Sequence, residues 1–322
     1  MLTYDLKVGY SCNNRCKHCV IDDSKDKLIE QHCNVDLSTQ ECINQIDDAL
    51  KEGIENIVLT GGEVTIRKDF PTLIEKCTSH SLDITIQTNG RKLSDERIID
   101  AVKDVDKIRF LIALHGDNAE THDTITQVKG SFEETCQGIK KMSELGKLIV
   151  LKIVISKFNA KELPGIVKLA DELGVKYICF AFPHGQGAAR KNFEEVIPQY
   201  SFLKPILFEL ITEAKNRNVN IEFEAIPFCI IPYAMQLVGE LKYYDGDTIC
   251  TQVKEETFQW SEVRKSIKAK GEQCSNCDMS SFCEGPWQEY AEAFGTDELV
   301  PIKFPEDKKE TIINTIKGYL EK

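Results

Sequence analysis

No stretch of this 322-residue chain is apolar for long enough to cross a bilayer, and no charged, apolar and small-residue series opens it. Export and membrane insertion are therefore not expected, and a cytoplasmic location is. Positive charge is short: 40 Lys and Arg stand against 52 Asp and Glu, a net charge of −12. Without a basic stripe the chain cannot readily displace counterions from phosphates, so nucleic acid is not an expected partner. The acidity is compatible with a neutral or basic peptide, although it also serves solubility alone. Repeats at solenoid spacing and low-complexity linkers are missing too. What remains is a chain with 42% apolar residues, ample for a core and long for a single one. One large domain plus a smaller one is the expectation.

Cysteine is what the chain has in excess. Thirteen is an odd count, and with no export signal it points to reduced thiols and metal ligands rather than disulfides. The densest group is CNNRCKHC, where Cys12, Cys16 and Cys19 place three thiolates in one short loop. A four-iron cubane offers four corners, and redox centres usually cover all of them with cysteine. A loop that stops at three leaves one iron for another ligand, which suggests a catalyst. Zinc prefers four N or S ligands, and only His18 lies within the motif as a further candidate.

Short β-branched runs then alternate with amphipathic stretches. The runs are 4–10, 56–60, 83–88, 107–115, 148–156 and 177–182, with helices beginning near Ser38, Asp69, Ser94, Ser131 and Ala160. Ser38 with Glu41 and Ser131 with Glu134 read as capping boxes, and Asn159 with Glu162 as a weaker one. Such alternation implies βαβ units and a parallel α/β sheet, as an open partial barrel or a doubly wound sheet. Ligands of such sheets sit at the carboxyl ends of the strands. Those ends read Gly61-Gly62-Glu63, Thr88-Asn89-Gly90 and His115-Gly116. Period-two alternation puts Thr85, Gln87 and Asn89 on one face, and Lys152, Val154 and Ser156 on another.

CNNRCKHC followed by LTGGE and QTNG resembles the radical S-adenosylmethionine (radical SAM) superfamily, over roughly residues 4–185 in pattern. The resemblance implies a partial (β/α)6 TIM-like barrel over 1–220 and a 4Fe-4S cluster on Cys12, Cys16 and Cys19. The open iron would chelate SAM, with Gly61 and Gly62 letting backbone approach the ligand. Glu63 would accept from the methionine amino group. His18 would lie near the adenine, and Asn89 and Ser156 are candidates for the ribose and carboxylate. SAM would be cleaved reductively to a 5′-deoxyadenosyl radical that takes hydrogen from the substrate. Two departures stand out: Val64 replaces the common proline, and Ala113 precedes His115, whose catalytic role is left open.

Cys274, Cys277 and Cys283 form a second set, C-x2-C-x5-C, which resembles the SPASM and twitch domains that carry auxiliary clusters. Trp287 stands where SPASM continues with cysteine, so one auxiliary 4Fe-4S cluster in a small domain over 221–322 is expected. Cys229 in IPFCIIP is the favoured fourth ligand, with Cys250 or an open three-thiolate site as alternatives. The other cysteines are expected to be buried small hydrophobes. The glycine-bearing loop 183–190 reads as an active-site rim where Arg190 holds an acidic group.

The family implies an enzyme reduced by a flavodoxin or ferredoxin-type donor, with a peptide or protein side chain as the expected substrate. Since the chain begins at the first strand, leader recognition would need another surface or a separate protein. Small-molecule cofactor biosynthesis, as in the molybdopterin pathway, is the second expectation, and an iron–sulfur electron carrier the non-enzyme alternative.

Overall fold

The structure, a computed structural model, describes residues 2–242 and 248–320. One sheet carries nine strands in the order β7-β6-β5-β4-β3-β2-β1-β8-β9. They are β1 (Thr3–Lys7), β2 (Asn56–Thr60), β3 (Asp83–Thr88), β4 (Ile108–Ala113), β5 (Leu148–Val154), β6 (Tyr177–Ala181), β7 (Asn220–Glu224), β8 (Thr248–Cys250) and β9 (Phe258–Gln259). All neighbours are parallel except β8 and β9. The sheet does not close, and β7 and β9 are its edges. Six strands were expected for the barrel and a further one over 220–225; that one joins the same sheet as β7 beside β6, and β8 extends the other side beside β1.

Helices α1 (Asp22–Glu30), α2 (Thr39–Lys51), α3 (Phe70–Ser79), α4 (Glu96–Val102), α5 (Ala119–Thr126), α6 (Ser131–Glu144) and α7 (Leu163–Glu172) lie between the first six strands. Two single turns, α8 (Ala188–Lys191) and α9 (Phe193–Val196), precede α10 (Tyr200–Asn216). Beyond β7 lie α11 (Trp260–Ser266), α12 (Gln288–Phe294) and α13 (Glu306–Leu320). Along β5, Ile149, Leu151 and Ile153 are buried while Val150, Lys152 and Val154 are only half-buried. That alternation sends one face to the helices and the other into the open side of the sheet.

The Ser38 capping box forms: Glu41 N donates to Ser38 Oγ at 3.2 Å and Ser38 N to Glu41 Oε2 at 2.7 Å. The Ser131 box does not. Gly130, at φ +84°, is the N-cap, and Ser131 Oγ donates to Asp123 Oδ1 at 2.8 Å. Asp123 also accepts from Gly130 N and Phe132 N, so a charged acceptor from α5 displaces the neutral local cap. Helix α5 itself went unanticipated; Asn118 caps it by accepting from Thr121 N at 3.0 Å. Asn159 caps nothing, because its amide is spent between strand ends. Helix α10 begins at Tyr200, beyond Pro198, which biases the residue before it away from helix.

Candidate active site

The loop holding Cys12, Cys16 and Cys19 leaves the end of β1 and is clamped by several distant segments. Gly62 N donates to Gly9 O at 2.8 Å and Glu63 N to Ser11 O at 2.9 Å. A Cβ on Gly61 would stand 2.1 Å from Gly9 O, and one on Gly62 2.2 Å from Ser11 O. Within the described residues, then, these glycines let the β2 turn lie backbone to backbone against the cysteine loop. From the α5 end, Thr126 O and Ile125 O accept from Arg15 N and Lys17 N, each at 2.9 Å. From 183–190, Ala188 N donates to Cys19 O at 2.8 Å. Arg190 is exposed and pairs with Asp23 of α1 at 2.7 Å, so it fastens this clamp instead of facing the site interior.

The sulfurs meet donors suited to thiolate. Asn14 N lies 3.3 Å and Asn89 Nδ2 3.8 Å from Cys12 Sγ. Asn89 also reaches Asn13 Oδ1 at 2.7 Å, and Arg91 Nη1, which sequence reasoning passed over, holds Asn13 O and Asn14 Oδ1. Burial pushes the Cys16 thiol up, and Cys19 and Cys12 push it further. Burial likewise takes Cys19 to about 11. Three crowded thiols of this kind gain from a cation that holds them as thiolates, which an iron–sulfur cluster supplies.

Glu63 is buried and ties the β2 turn to the β3 end. Its Oε1 accepts from Thr65 N at 2.9 Å, Thr65 Oγ1 at 2.5 Å and Thr88 Oγ1 at 2.6 Å, while Oε2 takes Asn89 N at 2.6 Å. His18 stands edge-on to His115 at 4.5 Å, and His115 stacks on His122 at 5.9 Å. Burial holds His18 and His122 down to about 4 and His115 well below the usual imidazole range, so all three rings are neutral at pH 7. Cys16, His18 and His115 bring ligand atoms within 4.8 Å of one another. Ser156 is buried and donates from both N and Oγ to Asn159 Oδ1 at 2.7 and 3.1 Å. Asn159 Nδ2 in turn reaches His115 O at 3.0 Å, which joins the ends of β4 and β5.

The second cysteine set meets its distant member. Cys229, just past β7, lines one cleft with Cys274, Cys277 and Cys283, a cleft with about 370 Å³ of empty space. Burial raises the Cys229 thiol to about 12, and the charges of Cys283, Cys274 and Cys277 add to it. Ile302 N donates to Cys277 Sγ at 3.3 Å. Four convergent thiols fit a four-thiolate centre. Cys250 lies elsewhere, buried in the sheet on β8 opposite Asp5 of β1. Cys42 and Cys77 are buried in the core.

One group was missed. On the open face of the sheet Lys152 of β5 pairs with Glu224 of β7 and lies 3.4 Å from Cys179 Sγ on β6. Burial works against the ammonium, but Glu224 overrides it and holds Lys152 above its usual range. The alternation of NIEFE, which puts Glu222 and Glu224 on one face, was the available signal.

The sequence profile described as "Radical SAM superfamily" matches residues 6–170. The Fe-coproporphyrin III synthase of Methanosarcina barkeri is 26% identical, covering 88% of this chain and 82% of that protein. The mycofactocin maturase MftC of Mycolicibacterium smegmatis is 30% identical over 58% of this chain, which spans only 46% of it. Streptococcus suis SuiB, solved bound to precursor peptide SuiA, superposes with a TM-score of 0.67 at 14% identity, covering 94% of this chain and 75% of SuiB, and shares the α/β fold. Among the described residues no helix is long and apolar enough to cross a membrane. The family match and the cysteine loop it contains agree, and the chain belongs to the radical SAM superfamily of enzymes.

Proposed function

We propose that this enzyme modifies a peptide or protein side chain, with one auxiliary cluster beside the substrate. The observation that carries the reading is the convergence of Cys229 with Cys274, Cys277 and Cys283 on one cleft. The maturase named among the relatives supports the peptide class. Residues 1–220 serve as the SAM-binding barrel and 221–322 as the auxiliary-cluster region, a division of work rather than of sheets.

Cys12, Cys16 and Cys19 would hold a 4Fe-4S cluster with SAM on its open iron, supplying one-electron cleavage and a hydrogen-abstracting radical. Asn89 and the Asn14 amide keep electron density on Cys12 by donating to its sulfur. Glu63 Oε2 carries a single donor and has room for the methionine amino group. His18 and His115, both neutral and edge-on to one another, place buried aromatic surface beside the cysteine loop, where the adenine would lie. Ser156 is bonded to Asn159 and acts by shaping the strand end. Glu63 and His115 are the side chains nearest to a catalytic role, and a flavodoxin or ferredoxin-type protein delivers the electron.

Anaerobic reconstitution with SAM and a strong reductant tests this. 5′-Deoxyadenosine should form, and an added peptide substrate should gain or lose mass in step with it. No cleavage with intact clusters would sink the reading. The second reading, small-molecule cofactor biosynthesis, is favoured by the broad match to the Fe-coproporphyrin III synthase. It predicts turnover of a small molecule and none of peptides.

A further inference from the structure

One thiol on the open face of the sheet belongs to neither cysteine site. Cys179 of β6 is level with Lys152 of β5, and Lys152 is level with Ala113 of β4. One residue back along β4, Ile112 is level with Thr88 of β3. The row that ends at Cys179 therefore begins beside Asn89, whose amide lies 3.8 Å from Cys12 Sγ. Level residues of a parallel sheet point to the same side, so this thiol looks onto the side where the cysteine loop ends, three strands or about 14 Å along the sheet. Small side chains border it, Ala113 in its own row and Ala181 next on that face of β6. The alanine at 113, a departure from the family pattern, leaves open floor between Asn89 and Lys152.

The neighbours of the thiol decide what it can do. Lys152 Nζ lies 3.4 Å from Cys179 Sγ and pairs with Glu224 of β7, and the thiol donates to the same carboxylate. Burial raises Cys179 well above the usual thiol range and the Glu224 charge adds to it, so the sulfur keeps its hydrogen at pH 7. Nucleophilic attack and metal binding need the thiolate, and a thiol held neutral does neither well. The ammonium in contact with the group also disfavours a metal dication there. What a neutral thiol retains is its S–H bond, which is weaker than the C–H bonds of a methyl group and yields its hydrogen readily to an alkyl radical.

We propose that Cys179 is a catalytic hydrogen-atom donor, which closes the reaction by giving its S–H hydrogen to a carbon radical formed over the open face of the sheet. The S–H bond breaks and a C–H bond forms, which leaves a thiyl radical on Cys179. One electron from the low-potential donor that also reduces the first cluster converts the thiyl to a thiolate. Lys152 returns the proton and recovers it from solvent, while Glu224 positions both partners. The substrate thus loses one hydrogen atom to the 5′-deoxyadenosyl radical and regains one of solvent origin, with no net oxidation. The inference rests on SAM cleavage and goes beyond the peptide reading.

The test needs no substrate, because without one the 5′-deoxyadenosyl radical is itself the carbon radical over the sheet. The full chain with both clusters loaded is given SAM and titanium(III) citrate in D2O, in buffer free of small thiols, and the 5′-deoxyadenosine is analysed by mass spectrometry. Exchange makes the thiol S–D, so the product should be heavier by one deuterium at C5′. Protein C–H groups supply no deuterium, and the O–D bonds of water are too strong to yield it. Cys179→Ala should lose the label, and Cys250→Ala, which removes a thiol elsewhere in the sheet, should keep it. The label is counted per 5′-deoxyadenosine formed, so a variant with less active protein still reports. Unlabelled product from the unaltered protein overturns the inference without reliance on any variant. Label that survives Cys179→Ala overturns it as well. No 5′-deoxyadenosine at all from the unaltered protein would remove the radical, and with it both this inference and the reading of the cysteine loop.

Discussion

The cysteine loop at residues 12–19 and the cysteine cleft around Cys229 gather thiols in opposite ways. In the loop all three come from eight consecutive residues, and distant segments hold the backbone still: the β2 turn, the α5 end and the 183–190 connection. In the cleft the short motif supplies Cys274, Cys277 and Cys283, and the last thiol arrives from the end of β7. Their surroundings differ as well. Neutral imidazoles and amides border the loop together with Arg91 and the buried carboxylate of Glu63, whereas the cleft has the buried Arg264–Glu284 pair beside it.

Substitutions can break this contrast in graded steps. Cys16→Ala should abolish 5′-deoxyadenosine formation and remove about four of about eight irons per chain, read by chromatography and iron counting. Cys229→Ala should remove a similar share of iron yet keep SAM cleavage, while turnover of the true substrate is lost. Equal substrate turnover there would defeat the assignment of the cleft. Asn89→Ala should lower cluster retention or cleavage by about 10- to 100-fold, as expected for a group that supports a metal ligand. Gly187→Ala places a Cβ 2.3 Å from Cys19 O at φ +60° and ψ −132°, and the backbone strain should cost about 1–3 kcal/mol, seen as a lower melting temperature. Cys250→Ala should cost about 1 kcal/mol or less and leave both iron and cleavage unchanged. Iron loss in that variant, with retention in Cys229→Ala, would reverse the comparison.

Much of the frame is legible in the residue order. The strands Asn56–Thr60 and Asp83–Thr88 fall where the β-branched runs place them, and the Ser38 box caps α2. These features depend on residues close in sequence, whose spacing carries the physics. The Ser131 box failed because Asp123, a charged acceptor folded back from α5, engages the Ser131 hydroxyl, while Ser131 N goes to Val128 O and Glu134 N to Gly130 O. The extent of the sheet was underestimated because β8 and β9 are short, and their pairing is set by the edge they find beside β1.

The division runs along sequence distance. Residue order alone determined three thiolates in one loop, a Gly-Gly-Glu turn after the second strand and alternating β and α units, since each is a local pattern. Which backbone Gly61 and Gly62 approach and where Lys152 meets Glu224 depend on strands laid side by side, while the thiol that completes the cleft and the Arg264–Glu284 pair depend on how the segments beyond β7 pack. Hydrogen-bonded register brings such residues together across long stretches of chain, and only the tertiary structure decided them.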